Sequence, residues 1–182
     1  MTSLAGMLLV APPALTDPNF VESVVVVLLH NEGGAFGLVL NRPTSLQLRE
    51  AVPAWADVAS TTVRCGGPVE TDSLIAIGRM SDSTEPPGYR AIETPTLGLI
   101  GLVDLHGGPT EALHDVTLFA GYTGWGPGQV EGEVLMGGWV VVAAQAGDPF
   151  DTGLDSLWGR VLRRADRNDA TLRLLPDDLA LN

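Results

Sequence analysis

A chain of 182 residues with 45% hydrophobic and 18% charged side chains has the size and composition of one folded domain, 1–182, not of a disordered segment. Its net charge is −12, from 22 acids against 10 bases, all of the bases arginine, so direct binding of nucleic acid or of an anionic membrane is disfavoured. The single cysteine, Cys65, excludes an internal disulfide and a paired-thiolate zinc site.

Taken in chain order, apolar runs bounded by Gly, Pro and Asn at 6–11, 23–30 and 35–41 read as strands. The block 24–27 is all valine, too continuous for a half-exposed strand, and predicts burial on both faces. Asn31-Glu32-Gly33-Gly34 is turn chemistry, so 23–41 predicts a β-hairpin. Thr44-Ser45-Leu46-Gln47 has the spacing of a capping box. Leu48, Ala51, Val52 and Trp55 follow at helical spacing, and Pro53 should end or kink that helix. Further strands are expected at 62–65, 74–80, 97–103, 116–122 and 139–143, a surface loop at 81–88, and a helical turn at 110–114. Helices are predicted at 129–136 and 155–167. The second carries the apolar stripe Leu154, Leu157, Trp158, Val161, Ala165, with Thr152 as its cap. Residues 176–182 read as a flexible acidic tail. No run reaches the ~18 apolar residues of a membrane span. The N-terminus lacks the basic and apolar stretches of a signal peptide, and a lone thiol fits a reducing compartment. The expected location is the cytoplasm.

The segment Gly121-Tyr122-Thr123-Gly124-Trp125-Gly126-Pro127-Gly128-Gln129 reads as a glycine-rich loop between a strand and a helix. Such a loop can cradle an anion with free backbone N–H groups, or it can be a tight turn with Trp125 packed on the core. Its spacing matches neither the P-loop nor the dinucleotide fingerprint. Gly66-Gly67 after a strand lets a ligand or another backbone come close. Arg42 could fork onto a carboxylate or phosphate, or pair with one of the many acids of the chain. These strand ends give a candidate ligand-binding cleft of Asn41, Arg42, Gly66, Gly67, Tyr122, Trp125 and Gln129.

No residues stand out as catalytic, and no metal or cofactor is implied. Cys65, at a strand end, reads as a small buried hydrophobe, although His30, His106 or His114 could in principle serve it as a base. His106 and His114 with Asp104 and Asp115 do not share a helix face. Glu131 and Glu133, two apart on a helix, point in different directions. Arg160, Arg163, Arg164 and Arg167 form a basic stripe, either a dock for an acidic surface or a solvated face at a helix C-terminus.

Asp17-Pro18-Asn19-Phe20, the run from His30 to Pro43, Gly66-Gly67-Pro68-Val69, and the run from Gly121 to Glu131 resemble the AlgH/YqgE family in order and spacing. Phe150-Asp151-Thr152 followed by Leu157-Trp158 resembles its closing segment. The resemblance spans nearly the whole chain, and the stretch 104–113 and the C-terminal tail depart from it. It implies an α+β fold, a mixed, bifurcated β-sheet closed into a pseudo-barrel with a few flanking helices. It implies no established activity; some family members carry a provisional transcriptional-regulator label. A non-catalytic protein that binds a small molecule or a protein partner is therefore favoured. The alternative is an enzyme whose pocket is formed by the loops at 41–44, 66–69 and 121–129.

Overall fold

The computed structural model describes residues 3–47, 53, 62–80, 89–92, 97–100 and 113–168. Among these residues ten strands, β1 (Met7–Val10), β2 (Val24–Asn31), β3 (Gly34–Val39), β4 (Pro43–Gln47), β5 (Thr62–Cys65), β6 (Val69–Met80), β7 (Tyr89–Ala91), β8 (Leu97–Ile100), β9 (Leu113–Trp125) and β10 (Val140–Ala143), build one sheet. Its main path runs β10-β1-β2-β3-β9-β6-β8-β7. The fork lies on β9. Thr123–Trp125 pairs antiparallel with β3, whereas Phe119 and Ala120 pair with β5 in the parallel sense, and β4 hangs from β5. The sheet is thus mixed, bifurcated and curled into a pseudo-barrel. Two helices flank it among the described residues, α1 (Gln129–Leu135) and α2 (Leu154–Asn168).

Alternation along the first strands divides the core. Leu8, Val10, Val24, Val26, Leu28 and Leu38 face inward with Ile77, Leu97 and Phe119, and α2 closes that layer with Leu157, Val161 and Ala165. Leu9, Val25, Val27, Val39 and Val141 face the other way and are covered by Val130 of α1 with Trp125 and Trp139. A strand pair covered on both sides explains why Val24–Val27 can be uninterrupted valine. The hairpin turn forms as expected, with the Asn31 Oδ1 accepting from Gly33 N at 2.8 Å.

Several local readings give way to tertiary pairing. Residues 44–47 do not cap a helix; they lie in β4, and the Thr44 hydroxyl donates across the ladder to the Val63 carbonyl at 2.7 Å. The helical residues expected from 48 to 55 fall outside the described residues apart from 53. The helical turn expected at 110–114 is replaced, at Leu113 and His114, by the start of β9. The glycine-rich segment is not a loop through most of its length, because β9 continues to Trp125 and only Gly126–Gly128 turns. β6 begins at Val69, five residues before the expected 74, with a bulge between Val69 and Leu74. Asp151, not Thr152, organises the approach to α2: its Oδ1 accepts from Gly153 N at 2.7 Å. The loop at 81–88, His106 and the tail at 176–182 lie outside the described residues.

Candidate functional site

The glycines of the two sequence motifs face each other. A Cβ on Gly66 would stand 2.2 Å from the Gly121 carbonyl oxygen, and one on Gly67 would stand 2.2 Å from that of Tyr122. Gly121 itself has φ +71°. What comes close to Gly66-Gly67 is therefore another backbone, that of β9. Tyr122 packs its ring on Phe36 at 4.9 Å.

The remaining candidate residues divide between two depressions. Asn41 and Arg42 border one of about 390 Å³ together with Glu22 and Trp158. Asn41 is an internal clamp, its Oδ1 accepting from Val24 N at 3.0 Å while its Nδ2 donates to the Glu22 carbonyl at 2.8 Å. Arg42 donates from Nη2 to the Val21 carbonyl at 2.9 Å. Trp125 and Gln129 line the other depression, of about 380 Å³, with Phe20, Trp139, Asp17 and Glu133.

Glu133 is the hub of that second site. Its Oε2 accepts from both indoles, Trp125 Nε1 at 3.0 Å and Trp139 Nε1 at 2.8 Å, while its Oε1 accepts from Gln129 Nε2 at 2.9 Å. The Gln129 Oε1 in turn accepts from Gly126 N at 3.0 Å, which fixes the turn between β9 and α1. The rings stand edge to face, Trp125 on Trp139 at 6.2 Å and Phe20 on Trp139 at 5.5 Å. Phe20 is brought in by a tight turn in which Asp17 accepts from Asn19 N through its side chain and from Phe20 N through its carbonyl. Sequence spacing placed Glu133 away from Glu131 but could not name its partners, since Trp139 was read only as the start of a strand.

Glu131, on another side of α1, accepts from His30 at 3.0 Å. The His30 Nδ1 accepts from Leu4 N at 2.9 Å, so the ring carries its proton on Nε2, and both nitrogens are engaged. His30 thus anchors the N-terminal segment to α1. Cys65 is half-buried, more accessible than its expected role as a buried hydrophobe, with its Sγ directed at the Gly67 carbonyl at 3.8 Å. The basic stripe on α2 is not simply solvated. Arg164 grips the buried Asp148 with both terminal nitrogens, at 2.8 and 2.7 Å, and Arg160 pairs with Asp151. Among the described residues no cluster of three or more His, Cys, Asp or Glu side chains could hold a metal ion.

Arg64 is sealed inside, at 1% exposure. It donates to the carbonyls of Leu40 at 2.9 Å, Pro149 at 3.1 Å and Asp151 at 2.8 Å, with Phe119 beneath it. Burial pulls its guanidinium down to about 10, against the opposing charge of Asp151, and it stays protonated at neutral pH.

A profile of the AlgH-like family matches residues 8–169. A UPF0301 protein of Streptomyces avermitilis is 44% identical over 191 residues, covering 100% of this chain and 97% of that protein. A UPF0301 protein of Mycobacterium tuberculosis is 36% identical over 183 residues, covering 98% and 90%. Among solved structures, a crystal structure of a Corynebacterium diphtheriae protein superimposes with a TM-score of 0.82 at 25% identity, over 90% of this chain and 87% of that one. The solution structure of the AlgH protein from Pseudomonas aeruginosa does so with a TM-score of 0.68 at 27% identity, over 96% and 95%.

Proposed function

The chain belongs to the AlgH-like family, and from that premise we propose that it is a non-catalytic binding protein, acting in the cytoplasm on a small ligand or on a side chain of a protein partner. The observation that carries this reading is the depression of about 380 Å³ walled by Phe20, Trp125 and Trp139, with Glu133 holding both indoles in place. Concave, mostly apolar surfaces with a few fixed polar groups are where small molecules and anchoring side chains bind. What favours binding over catalysis is the state of the chemistry-bearing groups: His30 spends both ring nitrogens on structure, and Asn41 is committed to backbone partners. Of the three loops that the alternative enzyme pocket requires, those at 66–69 and 121–129 share the depression through Pro68, Val69, Trp125 and Gln129, whereas Asn41 and Arg42 of the loop at 41–44 border a separate one. A net charge of −12 favours regulation through ligands or proteins over a direct grip on DNA.

Both indole N–H groups at the site are natural reporters. A thermal-shift screen of small metabolites, followed by amide and indole NMR spectra of the hits, should yield compounds that raise the melting temperature and move the Trp125 and Trp139 Nε1–H resonances together. A screen in which no compound moves either resonance overturns the reading.

A further inference from the structure

Resting on that reading of the depression, we infer that its ligand is an organic cation, an ammonium or guanidinium group carried on a small apolar body. The argument begins with how this protein treats its other half-buried or buried acids. Asp115 is paired with Arg79, Asp148 with Arg164, and Asp151 with Arg160, whereas Glu131 accepts from the neutral His30 ring. Glu133 likewise has no cationic partner among the described residues, and it borders a depression. Its three hydrogen-bond donors are the two indoles and the Gln129 amide, all neutral, and among the described residues no cationic side chain lines the depression it borders. Neutral donors satisfy the lone pairs of a carboxylate but leave its charge in place.

The surroundings favour a cation over any other complement. Three aromatic rings stand edge to face along the wall, and Asp17 adds a second carboxylate at the rim. Aromatic walls attract a desolvated cation through the negative face of the π system, and a nearby carboxylate reinforces the attraction. An anionic ligand would meet two like charges, those of Glu133 and Asp17. The volume, about 380 Å³, suits a headgroup or a single long side chain.

The test compares choline and arginine methyl ester with 3,3-dimethylbutan-1-ol, the uncharged isostere of choline, by titration against the indole Nε1–H resonances of the full-length protein. Choline should bind about tenfold more tightly than the alcohol. Glu133→Gln should erase that preference, and Asp17→Asn, at an exposed position that keeps its turn-forming oxygen, should weaken it. The choline-to-alcohol ratio in the unsubstituted protein and the Asp17→Asn result stand even where Glu133→Gln folds poorly. An alcohol that binds as tightly as choline overturns the charge selectivity while leaving the depression a binding site. So does failure of both cations when other compounds still move the indoles. A preference that survives both substitutions overturns the assignment to these carboxylates. Silence of both indoles towards every compound brings down the underlying reading as well.

Discussion

Arg64 and Glu133 are solved by the fold in opposite ways. Each carries a charge away from bulk water, and each is satisfied by three neutral groups: carbonyls for the guanidinium, N–H groups for the carboxylate. Arg64 is closed off at 1% exposure inside the layer capped by α2, with a ring beneath it. Glu133 is half-buried on the other layer and opens on a depression. The first arrangement leaves no room for a newcomer and knits β5 to the segment before α2. The second keeps the same economy of partners yet presents its charge to a space. Burial of an ionised group is thus not by itself a mark of function; the open side is what separates a fastening from a site.

That contrast can be broken most forcefully at Arg64. Arg64→Met keeps apolar bulk but strands three buried carbonyls, and should cost about 3–5 kcal/mol of unfolding free energy. Urea unfolding followed by circular dichroism measures it, and a loss below about 1 kcal/mol would mean that the carbonyls find water and the cluster is not a fastening. At the other pole, Glu133→Gln preserves shape but replaces one acceptor oxygen with an amide NH2 group, a donor, so part of the indole and Gln129 bonding is lost. The expected cost is smaller, about 1–2 kcal/mol, with a red shift or quench of tryptophan emission. A cost equal to that of Arg64→Met would make Glu133 a second fastening. Smallest is Gln129→Ala, at an exposed position on the rim. It removes one bond to Glu133 and one to Gly126 N, and should cost about 0.5–1 kcal/mol in the same unfolding measurement. A larger loss would show that the turn into α1, rather than the indole pair, holds the wall upright.

The sequence disclosed the parts of this molecule that are governed by local pattern. Continuous valine at 24–27, turn chemistry at Asn31-Gly34 and the apolar stripe of α2 each report a short-range periodicity, and each has its counterpart in the structure. It misled wherever a residue serves a partner far along the chain. Thr44 has the credentials of a helix cap, but its hydroxyl is used by Val63 on a neighbouring strand. Gly121 and Gly124 imitate a loop because glycine is the commonest turn former, whereas here Gly121 admits the 66–67 backbone beside β9. For the candidate site, Trp125 and Gln129 were visible as members of a distinctive segment. The convergence of Phe20, Trp139 and Glu133 on them was not, since it depends on a turn more than a hundred residues upstream and on a strand that returns to the opposite edge of the sheet.

The sheet also sets an order in time. β1 waits for β10 as its outer neighbour, with Met7 opposite Ala143 and Val10 opposite Val140, and β3 waits for β9. A ribosome adding ~5–20 residues per second needs roughly 5–20 s to make the stretch of about a hundred residues between β3 and β10. Until β9 is made, the first three strands can zip into a meander that is greasy on both faces and has both edges unsatisfied, an invitation to pair with the same segment of another nascent chain. Most of what shields it, from α1 and the tryptophans to α2, is encoded downstream. The long-range closure that gives the mature protein its two-sided core therefore makes its birth the moment of greatest exposure, slow by topology and dependent on what the cell places around the emerging chain.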